Sequence, residues 1–315
     1  MAIGSGIGSS FGIATETTFN TGVTVSRFYE FTSESTNYNK KASVGMGLRA
    51  GGLLPRSQRR VITTFDATGN LVMDLPTRGL GLILAHGMGS FPTKAGSSFT
   101  FTLGDVYGKS FTAQIGVPQY GGTVTPKTLT GCKVSNFEIT ANTAEIATGT
   151  FAIDAAGLTT ATSLTTPSYS VSGSVFHFAQ GAITVDGSAV ANIKSFNLTV
   201  DNTLKTDRYN LGSAGAKAEQ TINGFRKVSG SVTAEFTDTT LLAKFLADTT
   251  TALSLTLTAS ATEVLQITVS AVKFDGAVPQ VAGPEVIDVE FSFEAYDNGS
   301  DAPLTIVYTT PDSAL

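Results

Sequence analysis

The sequence predicts an all-β protein with a minority of helix, built as two tandem domains, on three observations. The composition is rich in glycine, serine and threonine, has no tryptophan and lacks long strings of helix formers, so strands and turns should dominate. Apolar and polar residues alternate through many short segments, the period of a strand buried on one face. One strand, cap and helix unit occurs twice, and at 315 residues about two domains are expected.

The clearer copy of that unit is 228–248, VSGSVTAEFTDTTLLAKFLAD. Val228, Gly230, Val232, Ala234 and Phe236 alternate with polar residues as a strand. Asp238 or Thr239 then caps a helix at about 239–248, with Leu241, Leu242, Phe245 and Leu246 on one face. Subtracting 161 carries Gly230, Val232, Glu235, Phe236 and Leu241 onto Gly69, Leu71, Asp74, Leu75 and Leu80, so the first copy has its helix at about 78–87. Downstream, subtracting 140 carries Phe291, Phe293, Glu294 and Ala295 onto Phe151, Ile153, Asp154 and Ala155. The offsets differ by 21, the number of extra residues that the first copy holds between helix and last strand.

Taken in order, residues 1–24 are rich in Gly, Ser and Thr, with Phe11, Ile13 and Phe19 as isolated apolar anchors, and read as a flexible N-terminal arm. Their GSGIG follows no predicted strand and lacks the Lys-Ser/Thr of a phosphate loop. The first domain, 25–160, opens with a strand over 25–33. A long loop at 37–60 follows, carrying Lys40, Lys41, Arg49, Arg56, Arg59 and Arg60 without apolar periodicity. Structureless loops beyond about 12–15 residues are uncommon unless functional, so this one reads either as an arm docking on a neighbour or as a solvated excursion. After the helix, FTFTLGDVYG, SFTAQIGV, KVSNFEITA and ATGTFAIDA read as antiparallel strands. The uncharged Thr and Ser run at 157–173 marks the boundary, with a linker at 161–173. The second domain, 174–315, opens on VFHFAQGAITVDG, whose Val-Asp-Gly is a hairpin signal. It repeats the arm at 203–227 with Lys205, Arg208, Lys217, Arg226 and Lys227, the first three as candidate subunit contacts, and closes with further strands.

No catalytic constellation emerges. A Ser-His-Asp triad would need His86 or His177; the first ends the predicted helix beside Gly87, where a cation suits the dipole, and the second alternates with Phe176 and Phe178. There is no Gly-x-Ser-x-Gly elbow, no His-Glu-x-x-His and no cysteine pair, and the single Cys132 reads as a buried spectator. No metal or cofactor is expected. A net charge of -5 argues against a surface that coats nucleic acid. The opening MAIGSGIGSSFG lacks the features of a signal peptide and no apolar run approaches 18 residues, so a soluble cytoplasmic product with no membrane role is expected. Asp288, Glu290 and Glu294 share one side of a strand, Glu235 sits on the polar side of another, and Asp154 and Asp74 are their counterparts. Glu290 and Glu294 read as a solvated wall rather than a glycosidase pair. Such a face fits either ordinary exposure or the lining of an aqueous channel, where its sign would repel phosphates.

The opening GSSFGIATETTF (8–19), the run SFNLTVDNTLKTDRYNLGS, and VSGSVTAEFTD followed by a short helix resemble the tail tube (major tail) proteins of long-tailed bacteriophages, in their two-domain form. The resemblance covers most of the chain. It implies tail-tube-type β-sandwich domains, each with a flanking helix and long loops reaching to neighbours. It also implies rings stacked into a tube, a β-barrel lumen through which viral DNA passes, and no enzymatic activity. Partners would be the chain itself, the tape measure protein and tail-end proteins; the product would be made in the host cytoplasm and reside in the virion tail. A carbohydrate-binding or adhesin module is the competing reading, but it would present exposed Trp or Tyr platforms.

Fusing two copies in one chain suggests that three chains supply six domains, with pseudo-six-fold and true three-fold symmetry. The alternative is a six-chain ring with one copy lining the lumen and the other decorating the outside. On the first reading the 21-residue excess projects from the ring between Ser90 and Lys127. The lumen would be lined by Asp288, Glu290, Glu294, Glu235, Asp154 and Asp74. Both basic loops would become ordered only against acidic surfaces of neighbouring subunits.

Overall fold

The computed structural model describes residues 5–169, 173–276, 278–281 and 283–315. Its strands are β1 (Ser10–Thr15), β2 (Arg27–Tyr29), β3 (Ser33–Glu34), β4 (Asn37–Val44), β5 (Arg60–Asp74), β6 (Ser98–Thr102), β7 (Phe111–Pro118), β8 (Val124–Asn142), β9 (Thr148–Ala155) and β10 (Gly157–Thr159) in the first half. The second half has β11 (Gly181–Val185), β12 (Ser188–Ala189), β13 (Ile193–Asp201), β14 (Leu204–Lys205), β15 (Thr221–Ile222), β16 (Lys227–Glu235), β17 (Thr251–Ser260), β18 (Glu263–Gly276), β19 (Asp288–Ala295) and β20 (Leu304–Thr309). Helix α1 (Gly81–Met88) follows β5 and helix α2 (Thr240–Leu246) follows β16.

The duplication is structural and in register. In the first copy β5 pairs with β9, setting Gly69 against Ile153 and Leu71 against Phe151. In the second, β16 pairs with β19, setting Gly230 against Phe293 and Val232 against Phe291. The two glycines share a physical reason. A Cβ on Gly69 would lie 2.4 Å from Thr36 Cα, and one on Gly230 would lie 2.0 Å from Asn197 O, so the neighbouring strand closes on the backbone at the same place in both copies.

Strands β8 and β18 each serve two sheets. The N-terminal part of β8 pairs with β7 and β10, and its C-terminal part with β9. Likewise β18 pairs first with β17 and β20, then with β19. The outer sheets are therefore β2-β1-β7-β8-β10 and β12-β11-β17-β18-β20, and the inner sheets run β4-β5-β9-β8 and β13-β16-β19-β18. Phe137, Phe151, Phe196, Leu198, Phe291 and Phe293 alternate inward and lie in one core cluster that spans both halves.

The two inner sheets join. Strand β13 pairs antiparallel with β8 from Ser195 opposite Asn142 to Asp201 opposite Asn136, so the inner strands run in series as β4-β5-β9-β8-β13-β16-β19-β18. A second exchange links the outer layers, where β6 pairs with β20, Phe101 opposite Ile306.

Several expectations need correction. Residues 10–15 are not a free arm: β1 lies between β2 and β7 with Phe11 and Ile13 buried. Two anchors two residues apart on a short strand suffice to add it to a sheet, which glycine-rich composition conceals; residues 1–4 of that segment lie outside the described residues. The extra stretch after α1 does not project, since it supplies β6, whose Phe99 and Phe101 are buried against the second half. The uncharged run at 157–173 begins with β10 still paired to β8, and its residues 170–172 lie outside the described residues. Helix α1 is buried on every side, whereas α2 buries Leu241 and leaves Leu246 exposed. Asp238 accepts from the Thr240 N–H at 2.8 Å just ahead of α2, while Thr239 holds the N-cap position without a side-chain cap bond.

Candidate assembly arms and channel face

The two basic loops leave their hairpins at equivalent places but go different ways. In the first copy β4 and β5 continue pairing as far as Val44 opposite Arg60, so 37–60 is a projecting β-hairpin, not a structureless loop. Its far end, between Gly45 and Arg59, exposes Met46, Leu48, Leu53 and Leu54 to solvent. Lys40, Lys41, Arg49, Arg56, Arg59 and Arg60 are all exposed, and among the described residues none of the six takes part in an ion pair within the chain. Large apolar side chains gathered in solvent on one extended hairpin are uncommon on the surface of a lone chain.

The second loop, 203–227, is already docked, on the first copy of its own chain. Lys217 is fully buried and donates to Asp154 at 2.7 Å and to Asp66 at 3.0 Å. Lys133, also buried, donates to Glu219 at 2.6 Å and to the carbonyls of Val106 and Gln220. Burial pulls its ammonium below the usual lysine value, although Glu219 opposes this. Gln220 donates to Asp154 Oδ2 at 2.7 Å. At the root of the loop, Arg226 donates to the carbonyls of Gly87, Met88 and Gly104, and Asn202 donates to Gly87 and Val134, so the arm caps the C-terminus of α1. Burial lowers the guanidinium to about 10, which leaves it charged at neutral pH. Lys217 is thus no free contact for a neighbour. Arg208 is tied to the Glu219 carbonyl and Lys205 to Asp207, so of the three predicted contacts in this loop only Lys205 is broadly exposed. Sequence reasoning missed Asn202 and Gln220 and read Arg226 only as one of the arm's basic residues, because loop residues that cap a remote helix follow no period.

The polar face of the inner sheets carries most of the predicted acids. Asp288, Glu290 and Glu294 are exposed, and Glu235 and Asp74 are half-buried. Asp288 and Glu235 stand directly opposite one another, an unfavourable pairing of like charge that Lys194 relieves by reaching both, at 2.8 and 2.9 Å. Asp154 is the exception. The docked loop buries it, and that burial raises its carboxyl above the usual aspartate value despite Lys217. Its place by alternation is on the polar face, but a covering loop cannot be read from alternation.

His86 does not serve the helix dipole as a cation. It is buried between Phe91 and Phe111, with Nε2 3.1 Å from Thr15 Oγ1, and burial pushes it down to about 3. His177 precedes the 3-10 turn at Phe178–Gln180. Cys132 is buried and its thiol is pushed up by burial. Among the described residues no group of three or more His, Cys, Asp or Glu is placed to hold a metal, and no helix is long and apolar enough to cross a membrane.

The profile of the phage tail tube protein family matches residues 6–295, nearly the whole chain and both structural copies. The chain belongs to the phage tail tube protein family. No curated protein matches it. Membership makes the chain a structural component of a virion tail. In this tail tube protein the family match runs through β19, so the in-series inner sheet lies within it.

Proposed function

We propose that three chains close into a ring with pseudo-six-fold symmetry, that rings stack into a tube, and that the inner sheets line the channel through which viral DNA passes. The observation that carries this is the pairing of β8 with β13, which sets both copies side by side in one inner sheet. A six-chain ring with one copy decorating the outside would need the second copy's inner sheet elsewhere. The channel wall then presents Asp288, Glu290, Glu235 and Asp74, partly neutralised by Lys194, and a mildly acidic wall repels phosphates so that DNA slides. The tape measure protein and the proteins at the tube's ends are the other partners, and assembly follows synthesis in the host cytoplasm.

The hairpin 37–60 is the arm that docks on a neighbour. Its in-chain counterpart, 203–227, places Lys217 on Asp154 and caps α1. By the offset of 140, Glu294 holds the position of Asp154, and in the single chain it is exposed, as is Leu246 on α2. A neighbour's hairpin laid over α2 would bring its basic residues to Glu294 and bury Leu48, Leu53 and Leu54. Exposed ion pairs contribute only about 0–1 kcal/mol each, so burial of those leucines, about 1.5–3 kcal/mol apiece, supplies most of the stabilisation.

Cryo-electron microscopy of tubes formed by the purified protein tests the ring. Three chains per ring, each contributing both copies to the channel wall, are expected; six chains per ring would overturn the reading.

A further inference from the structure

We propose that Asp275, Gly276, Val278 and Gln280 of one chain face Asn39, Tyr38, Thr36 and Glu34 of the next in an antiparallel pairing, in the register of the internal β8–β13 junction. The proposal rests on the ring reading above and assigns the contact that closes it. Two edges of the inner sheet have no strand partner among the described residues, the outer side of β3 and β4 at one end and the end of β18 at the other. The duplication says what each should meet. Through their pairing with β9 and β19, Val134 and Phe137 of β8 correspond to Phe274 and Gly276 of β18. Through their pairing with β5 and β16, Glu34 and Tyr38 correspond to Phe196 and Val200 of β13.

Within the chain, β8 and β13 pair Asn136 with Asp201, Phe137 with Val200, Ile139 with Leu198 and Ala141 with Phe196. Carried across, Asp275 faces Asn39, Gly276 faces Tyr38, Val278 faces Thr36 and Gln280 faces Glu34. Burial agrees with the assignment. Ile139 is 0% exposed, whereas Val278 at the matching position is 55% exposed; Val200 is 0% exposed, whereas Tyr38 is 38% exposed. Each free edge therefore leaves uncovered an apolar side chain that its counterpart buries by pairing. Gly276, where the first copy has Phe137, leaves room for the larger Tyr38 opposite it. Pro279 lies within this segment, where it can donate no ladder hydrogen bond, and Pro284 lies beyond it; prolines near the end of an edge strand hinder indiscriminate pairing.

Cysteine cross-linking tests the register. Directly opposed residues on antiparallel strands have Cα atoms about 4.5–5.5 Å apart, within disulfide reach, whereas a shift of two residues moves them to about 7–8 Å. The variant T36C/V278C, assembled and then oxidised, should give a disulfide-linked ladder on a non-reducing gel that stops at three chains. Variant T36C/Q280C and the chains carrying T36C or V278C alone, each beside the buried native Cys132, should stay monomeric on the same gel, with tube formation by negative stain as the check on folding. Tubes that form normally while T36C/V278C fails to cross-link, or while T36C/Q280C cross-links instead, would overturn the register and leave the tube intact. A wild-type protein that forms no rings or tubes at any concentration would overturn the tube reading itself, and the edge pairing with it. A ladder that continues to six chains would retain the edge pairing and overturn the trimer.

Discussion

At the scale of single residues, Lys217 is the side chain on which the docked arm most depends. Its ammonium is fully buried between Asp154 and Asp66, so Lys217→Met leaves two carboxylates facing one another without a counter-charge. Breaking a buried pair in this way costs about 3–5 kcal/mol. Urea unfolding of the unassembled chain should register a loss of that size for K217M, and the pair K217M/D154N should recover part of it. His86 makes the stability pH-dependent. Its pKa is about 3 in the fold against 6.5 in the unfolded chain, so between these values the unfolded chain binds a proton that the folded chain does not. Stability from this group is complete above pH 6.5 and falls on acidification; from pH 7 to pH 5 the loss is about 2 kcal/mol. Thermal melts at those two pH values should show the wild type losing more than His86→Gln, and equal losses would contradict the assignment. Neither role was legible in the sequence. A lysine among glycines and a histidine at a helix end look solvated until the elements that cover them are known.

At the scale of elements, what the sequence revealed was period and repetition, and what it hid was partnership. Alternation in VSGSVTAE and FSFEA assigned β16 and β19 and the faces of their residues, and the offsets of 161 and 140 are the observed registers of the two copies. Alternation says which side of a strand is buried but not which strand lies beside it. That is why the extra 21 residues could be recognised while the pairing of β6 with β20 could not, and why two similar basic loops gave no hint that one is docked and the other free. The free one makes a clean test. Gly45 N–H donates to Arg59 O at 3.0 Å, so the hairpin can be closed just beyond that bond by replacing residues 46–58 with Asn-Gly. The shortened chain should melt as the wild type does, because the segment removed is exposed throughout, and should fail to form tubes in negative stain. Full-length tubes from this variant would mean that the hairpin is not an assembly arm. The docked arm behaves oppositely: Arg226→Ala strips donors from the carbonyls of Gly87, Met88 and Gly104 at about 1–3 kcal/mol per unpaired buried group, and should destabilise the chain before any assembly step.

At the scale of the whole molecule, duplication at the level of sequence has not kept the two copies structurally separate. Chain halves that merely touched would each keep a closed core and would unfold separately. Here the halves exchange structure in both layers: β13 extends the first copy's inner sheet, β6 extends the second copy's outer sheet, and the loop 203–227 buries Asp154 and caps α1 of the first copy. The buried apolar side chains accordingly form one cluster, from Phe11 at one end of the sequence to Tyr308 at the other. Cutting the chain at the linker would expose Ile139 and Phe137 on β8, leave Leu304, Ile306 and Tyr308 on β20 without the cover of β6, and open long unpaired edges of the kind that aggregate. Calorimetry of the unassembled chain should therefore show one cooperative transition, with calorimetric and van't Hoff enthalpies in agreement, instead of two resolved peaks. Residues 174–315 expressed alone should be insoluble, and co-expression with residues 1–169 should restore a soluble complex that carries both copies. Two separate transitions, or a soluble and well-folded 174–315, would show that the β8–β13 and β6–β20 pairings add little to stability, and would also remove the reason to expect the same edge to recruit the next chain in a ring.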